Sequence, residues 1–230
     1  MPKKKNINQA LKETYFHLSE TKHSSENTIS GTDAARIVAG DWRSLYYEKK
    51  GVTEREDLSN VLPVQMGIYT ETFNREWYKK QTGLEVTDPV YVQSKSHKNL
   101  VGSLDGLAYD PKADQLSIWD AKHTNAFMKQ EKLFEKYYPQ MQHYMLVTEL
   151  NNAILSVFYG NMKWEELHIA EDKDFQWSLL KAELVFLKML EENQEPPDHM
   201  GWDNFKKEQM NGKGNITISV LSELEKTGNQ

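Results

Sequence analysis

Polar and apolar positions along this chain repeat with periods that change from segment to segment, and each change predicts an element. Over residues 67–81, Tyr69, Phe73 and Trp77 recur at every fourth position, which predicts a helix with these side chains as its buried stripe and Gly83 as its stop. A shorter helix running to Ile37 is capped by Ser30 or Thr32. Three strand-like runs follow at 90–95, 100–109 and 116–123, with a Pro-Lys-Ala-Asp turn at 111–114 between the last two, and they predict an antiparallel sheet. Pro139 fits the first turn of a helix reaching about Leu150, with Met141 and Met145 facing inward. A buried strand at 153–159, a shorter one near 166–169 and a helix over 175–192 complete the order. In that last helix Phe175, Leu179, Ala182, Phe186 and Leu190 keep helical spacing, and Pro196-Pro197 forbids continuation. The whole reads as a mixed α/β sandwich over residues 28–200, with a polar N-terminal tail (1–27) and a C-terminal extension (201–230), both candidates for loose docking.

Alternation along 116–123 places Leu116, Ile118, Asp120 and Lys122 on one face of their strand. If 111–114 is a symmetric four-residue loop, Asp105 stands opposite Asp120, with Cβ atoms ~5 Å apart. Two opposed carboxylates destabilise a sheet unless a cation lies between them. Such a pair can hold Mg²⁺, which polarises a scissile phosphate and acidifies a water, while a nearby ammonium orients that water or offsets transition-state charge. The lysine can also serve as a base where a site lowers its pKa. From these residues alone, a surface hairpin with two solvated aspartates and an Asp120–Lys122 ion pair remains an alternative.

Composition narrows the chemistry. The chain has no cysteine, which excludes disulfides, thiolate zinc, iron–sulfur clusters and a cysteine nucleophile, and points any metal site toward hard cations such as magnesium or manganese. The net charge of −6 is concentrated: residues 163–203 hold eleven acids against four lysines, a balance of −7 that leaves +1 for the rest. Lys95, Lys98, Lys122, Lys129, Lys132 and Lys136 surround the candidate site, so a locally basic groove is compatible with the acidic total. No apolar run approaches the roughly 18 residues of a membrane span. Lys3, Lys4 and Lys5 precede polar residues rather than the apolar stretch of a signal peptide, so a cytoplasmic protein is expected, in a bacterial host if phage-encoded. There is no Gly-rich phosphate loop and no His-Glu-x-x-His. His123 and His143 read as packing or solvent-facing residues as readily as ligands, and most of the six tryptophans as core.

Asp105-Gly106 followed by Asp120-Ala121-Lys122 resembles the PD-(D/E)xK nuclease core, and more narrowly the YqaJ-type viral recombinases, relatives of the phage lambda-type exonucleases. Ile29-Ser-Gly-Thr-Asp-Ala-Ala-Arg-Ile-Val resembles that family's opening segment, and Trp42 to Gly51 the stretch after it. Gly67-x-x-x-Glu71 is similar to its helix motif, Leu104-Asp-Gly to its metal strand, and Tyr137-x-x-Gln140-x-Gln142-His143 to its later helix. Similarity continues through Phe158-Tyr-Gly and Phe186 to Glu195-Pro-Pro, spanning about residues 28–198 in order.

The resemblance implies an α/β fold with a PD-(D/E)xK nuclease-like core, a mixed sheet of about five strands flanked by helices. It implies Asp105, Asp120 and the Ala121 carbonyl as metal ligands, Lys122 as the catalytic lysine, and Glu71 as a further metal-binding residue, with one or two ions bound. From the residues alone, the preferred reading of Glu71 is an i,i+4 ion pair with Arg75. Gln140 and Tyr137 would line the site, Gln140 at the positive end of its helix if Pro139 begins it. Two departures stand out. Position 120 is Asp where close relatives usually have Glu. Relatives that act from a phosphorylated 5′ end carry an arginine just before this segment, where this chain has Ser24, Ser25 and Glu26, leaving Thr32 and Arg36 for the terminal phosphate. The implied activity is digestion of one strand of double-stranded DNA from an end, beside a single-strand annealing protein, in a trimeric ring. An endonuclease or single-strand nuclease of the same fold, and a DNA-end-binding scaffold, are the alternatives.

Overall fold

The computed structural model describes residues 5–14, 16–19, 26–198 and 200–211. The elements in order are α1 (Ile7–Lys12), β1 (His17–Ser19), α2 (Gly31–Val38), α3 (Trp42–Lys49), α4 (Leu62–Thr82), β2 (Glu85–Val86), β3 (Val90–Gln93), β4 (Val101–Leu104), β5 (Gly106–Asp110), β6 (Gln115–Thr124), α5 (Gln130–Thr148), β7 (Asn152–Tyr159), β8 (Lys163–Ala170), α6 (Lys173–Glu191) and α7 (Trp202–Asn211). A five-stranded sheet has the order β2-β5-β6-β7-β8, and a three-stranded sheet the order β1-β3-β4. All pairs are antiparallel except β6 with β7, and that parallel pair needs the long crossover that α5 supplies. The expected mixed sheet flanked by helices is therefore present.

The hairpin register is the predicted one: Gly106 faces Trp119 and Asp110 faces Gln115. The single run expected at 100–109 is instead two strands, broken at Asp105. β4 belongs to the small sheet and β5 to the large one, and Asp105 lies in neither ladder. β2 closes in at this crossing, since a Cβ on Gly106 would lie 2.8 Å from a Val86 methyl and 2.9 Å from the Thr87 carbonyl. Only glycine lets the chain pass there.

Two sequence-based expectations about helices are corrected. Tyr69 and Phe73 do not face inward; they are 79% and 58% exposed, and Phe73 stacks on Phe158 at the protein surface. The buried face of α4 is Asn74, Arg75 and Tyr78. Four-residue spacing identifies a helical face but not which face is covered, and here polar anchors decide. Similarly, α5 begins nine residues before Pro139, which stands inside it. Proline removes one helical hydrogen bond. Leu133 before it and Met141 and Met145 after it are buried against the core, and that packing carries the helix through.

Part of the segment read as an N-terminal tail is ordered: β1 pairs with β3, and Phe16 is buried in the main core. Phe205 of α7 joins the same core beside Trp42, although residues 212–230 of the predicted C-terminal extension lie outside the described residues. So do Ser24 and Ser25. Trp42 and Trp119 are buried as expected, whereas Trp177 is exposed. A smaller core of Tyr78, Val86, Ala108, Trp119 and Ile154 lies under α4. Among the described residues no helix is long and apolar enough to cross a membrane.

One buried ion pair ties the helical layer together. His143 Nδ1 lies 2.7 Å from Glu183 of α6, and its Nε2 donates to the Val101 carbonyl of β4 at 3.0 Å. Burial opposes the imidazolium, but the Glu183 carboxylate and the Val101 carbonyl outweigh it and raise His143 above its ordinary value. A raised folded-state value means that the stability it contributes is fully present below the ordinary imidazole range and is lost as pH rises through the folded value. Glu183→Gln is expected to cost roughly 3–5 kcal/mol in urea unfolding near pH ~6 and to abolish the loss of stability as pH rises above the ordinary imidazole range. Equal pH dependence in both proteins would refute the assignment.

Candidate active site

Asp105, at the crossing between the sheets, turns its side chain onto β6: Oδ2 accepts the Ala121 N–H at 2.9 Å. Asp120 is buried, with its side chain only 3% exposed, and Lys122 Nζ lies 2.5 Å from its Oδ2. That close approach makes the Lys122 ammonium the partner of Oδ2. The ion pair anticipated from sequence is present, but the solvated aspartate is not.

The electrostatics follow from this crowding. Burial pushes the Asp120 carboxyl above its ordinary value, Lys122 opposes the shift, and the charges of Asp105 and Glu71 add to it. Burial works to neutralise Lys122, but Asp120 and Asp105 overcome it and hold it as an ammonium. A base role for Lys122 requires the opposite shift. Its Nζ also sits 4.5 Å from the centre of the Tyr137 ring, whose other neighbour is Lys136 at 5.1 Å.

Glu71 approaches from α4. Burial and Asp105 raise its carboxyl, with Arg75 and Lys122 opposing. Its i,i+4 pairing with Arg75 is present at 3.3 Å, and the same guanidinium group donates to the Asp105 carbonyl at 3.0 Å. Among the described residues no three acidic or histidine side chains converge closely enough to hold a metal ion. The donor set nevertheless suits one: Asp105 and Glu71 both act electrostatically on buried Asp120, and three acids against the one Lys122 ammonium leave an excess of negative charge that a cation would offset.

Gln140 does not sit at a helix end, because α5 continues through it, so a helix-terminal phosphate site there is lost. Its Nε2 instead donates to the Tyr144 hydroxyl at 3.0 Å, which donates to the Ser103 carbonyl at 2.9 Å, two residues before Asp105. The sequence pattern did not single out Tyr144. It lies four residues after Gln140, and its ring fits only because two neighbours lack side chains: a Cβ on Gly31 would come within 2.5 Å of the ring, and one on Gly102 within 3.2 Å. Ser30, not Thr32, caps α2, and Thr32 is exposed in its first turn. Arg36 is not brought to the carboxylates. Its Nε bonds Asp41 at 2.7 Å and its terminal nitrogens grip Glu48 at 2.7 Å each.

Comparisons with known proteins bear on the family and the fold. Residues 21–151 match the profile of the YqaJ-like viral recombinase domain, more than half of the chain. The chain belongs to the YqaJ-like viral recombinase family. A search of curated proteins finds no match. Among solved structures, the alkaline exonuclease LHK-Exo from Laribacter hongkongensis superposes with a TM-score of 0.59 at 18% identity, over 74% of this chain and 90% of its own. A phage-related exonuclease from Haemophilus somnus 129PT gives 0.53 at 16% identity, over 72% and 96%. At such identities these likenesses establish the shared fold.

If the two aspartates hold a divalent cation, Mg²⁺ or Mn²⁺ will raise the melting temperature of the protein. Saturation at ~100 times Kd corresponds to about 2.7 kcal/mol. Asp120→Asn should lose most of that response in a thermal-shift titration, and an undiminished shift in this variant would exclude Asp120 as a ligand.

Proposed function

We propose that this YqaJ-like protein is a magnesium-dependent DNA exonuclease that digests one strand of linear duplex DNA, 5′ to 3′, for recombination by single-strand annealing. The observation that carries this reading is the gathering of Asp105, turned onto β6, with buried Asp120 beside the Lys122 ammonium. Membership of the family and the exonuclease fold of the solved relatives support it.

Asp105, Asp120 and the Ala121 carbonyl would hold the ion, with Glu71 completing the set directly or through water, and with Mn²⁺ able to substitute. A bound Mg²⁺ supplies Lewis acidity toward the scissile phosphate and lowers the pKa of a water. The chain's own groups do the rest. Lys122, held as an ammonium, donates to the attacking water or to the oxygen on which charge develops. Tyr137 confines that ammonium from the side, and Gln140, fixed through Tyr144, presents an amide to the substrate backbone. Thr32, exposed in the first turn of α2, would contact a terminal phosphate. Arg36 shapes that helix through Glu48 and Asp41. The working form is a homo-oligomeric ring of three in the cytoplasm, acting on DNA ends beside a single-strand annealing protein.

Asp105→Ala and Lys122→Ala should each lower degradation of linear duplex by at least roughly 10²–10³-fold while circular dichroism stays that of a folded protein. Full activity in either variant would sink the site assignment. With 5′- and 3′-labelled linear duplex and Mg²⁺, the 5′ label should leave early as mononucleotide while the 3′ label stays on a shortening strand, and closed circular duplex should survive. Cleavage of the circle would favour the endonuclease alternative.

A further inference from the structure

Beside the apolar contact of Tyr78, helix α4 is held on the sheet by polar groups, and those groups bracket the carboxylate cluster. Asn74 Nδ2 donates to the Ser156 carbonyl at 2.8 Å and lies 3.5 Å from the Lys122 carbonyl. Its Oδ1 accepts from Ser156 Oγ at 2.5 Å, which itself accepts from Trp164 Nε1 at 2.9 Å. Arg75 donates to the Asp105 carbonyl at 3.0 Å, and both Asn74 and Arg75 are buried. One anchor therefore grips the β6–β7 pair beside Lys122, and the other grips the crossing that presents Asp105. Glu71 stands one turn earlier on the same helix.

Apolar contact lets a helix slide or rotate by a fraction of an ångström at little cost, whereas directional hydrogen bonds to backbone fix it in all directions. A metal site needs that accuracy, because ligands must be held within about 0.5 Å. The Arg75–Glu71 contact, at 3.3 Å, is long for a charged hydrogen bond, so Glu71 can turn to a cation while Arg75 keeps its hold on the Asp105 carbonyl. We propose that Asn74 and Arg75 are positioning residues that set the reach of Glu71 toward a divalent cation shared with Asp105 and Asp120. This rests on the metal-dependent reading above.

The test is Mn²⁺ binding to the full-length protein by calorimetry, with melting temperatures recorded without cation. Asn74→Ala and Arg75→Lys should each weaken Mn²⁺ binding by roughly 10–100-fold. Ser156→Ala should weaken it less, because Asn74 keeps the Ser156 backbone carbonyl. Leu179→Ala, a core change remote from these anchors, should lower the melting temperature yet bind Mn²⁺ as wild type does. Wild-type affinity in folded Asn74→Ala and Arg75→Lys overturns the proposal, as does equal weakening in Leu179→Ala. If Asn74→Ala fails to fold, Arg75→Lys and Ser156→Ala decide by the same criterion. A wild-type protein that binds no Mn²⁺ overturns the metal reading together with this one, whereas unchanged variants against a binding wild type overturn this one alone.

Discussion

The hydrogen bond from the Ala121 N–H to the Asp105 carboxylate is the contact on which the site depends. At this point the backbone ladder between β5 and β6 has ended, and a side-chain oxygen extends the connection. The bond turns Asp105 toward the strand that carries Asp120 and Lys122. It thereby gathers two negative charges beside one buried ammonium, an arrangement with an excess of acid that a cation would balance. The Arg75 bond to the Asp105 carbonyl and the Tyr144 bond to the Ser103 carbonyl then secure the backbone on either side.

What the sequence disclosed depended on whether a rule was local. Register across the 111–114 turn followed from loop length and alternation, both properties of adjacent residues, and the observed pairing agrees. The split of 100–109 into two strands was hidden, because Asp105 has apolar Val101 and Leu104 before it and Leu107 and Tyr109 after it, which read as one continuous strand. Proline at 139 marks a helix start only if nothing downstream compensates for the lost bond, and buried Leu133, Met141 and Met145 do so here. The stripe of Tyr69 and Phe73 failed for another reason. The helix docks through Asn74 and Arg75, residues that hydropathy assigns to solvent.

The candidate site was legible where its residues share one strand or one hairpin, as Asp105, Asp120 and Lys122 do. Residues that act through tertiary neighbours were not. Tyr144 acquires a role only because Gly31 and Gly102 clear room for its ring, and Asn74 only because Ser156 and Trp164 complete its chain of hydrogen bonds. Arg36 is the converse case: a cation close in sequence to a proposed phosphate contact is absorbed by Glu48 and Asp41.

The position of Asp105 between the two sheets has a mechanical consequence. Its backbone hangs from β4 on one side and β5 on the other, so a rocking of the small sheet against the large one bears directly on the separation of the two aspartates. His143 stiffens that joint by holding the Val101 carbonyl of β4 against α5 and, through Glu183, α6. The spacing of the carboxylates is thus tied to the angle between the sheets, and a buried ion pair with no contact to either aspartate braces that angle.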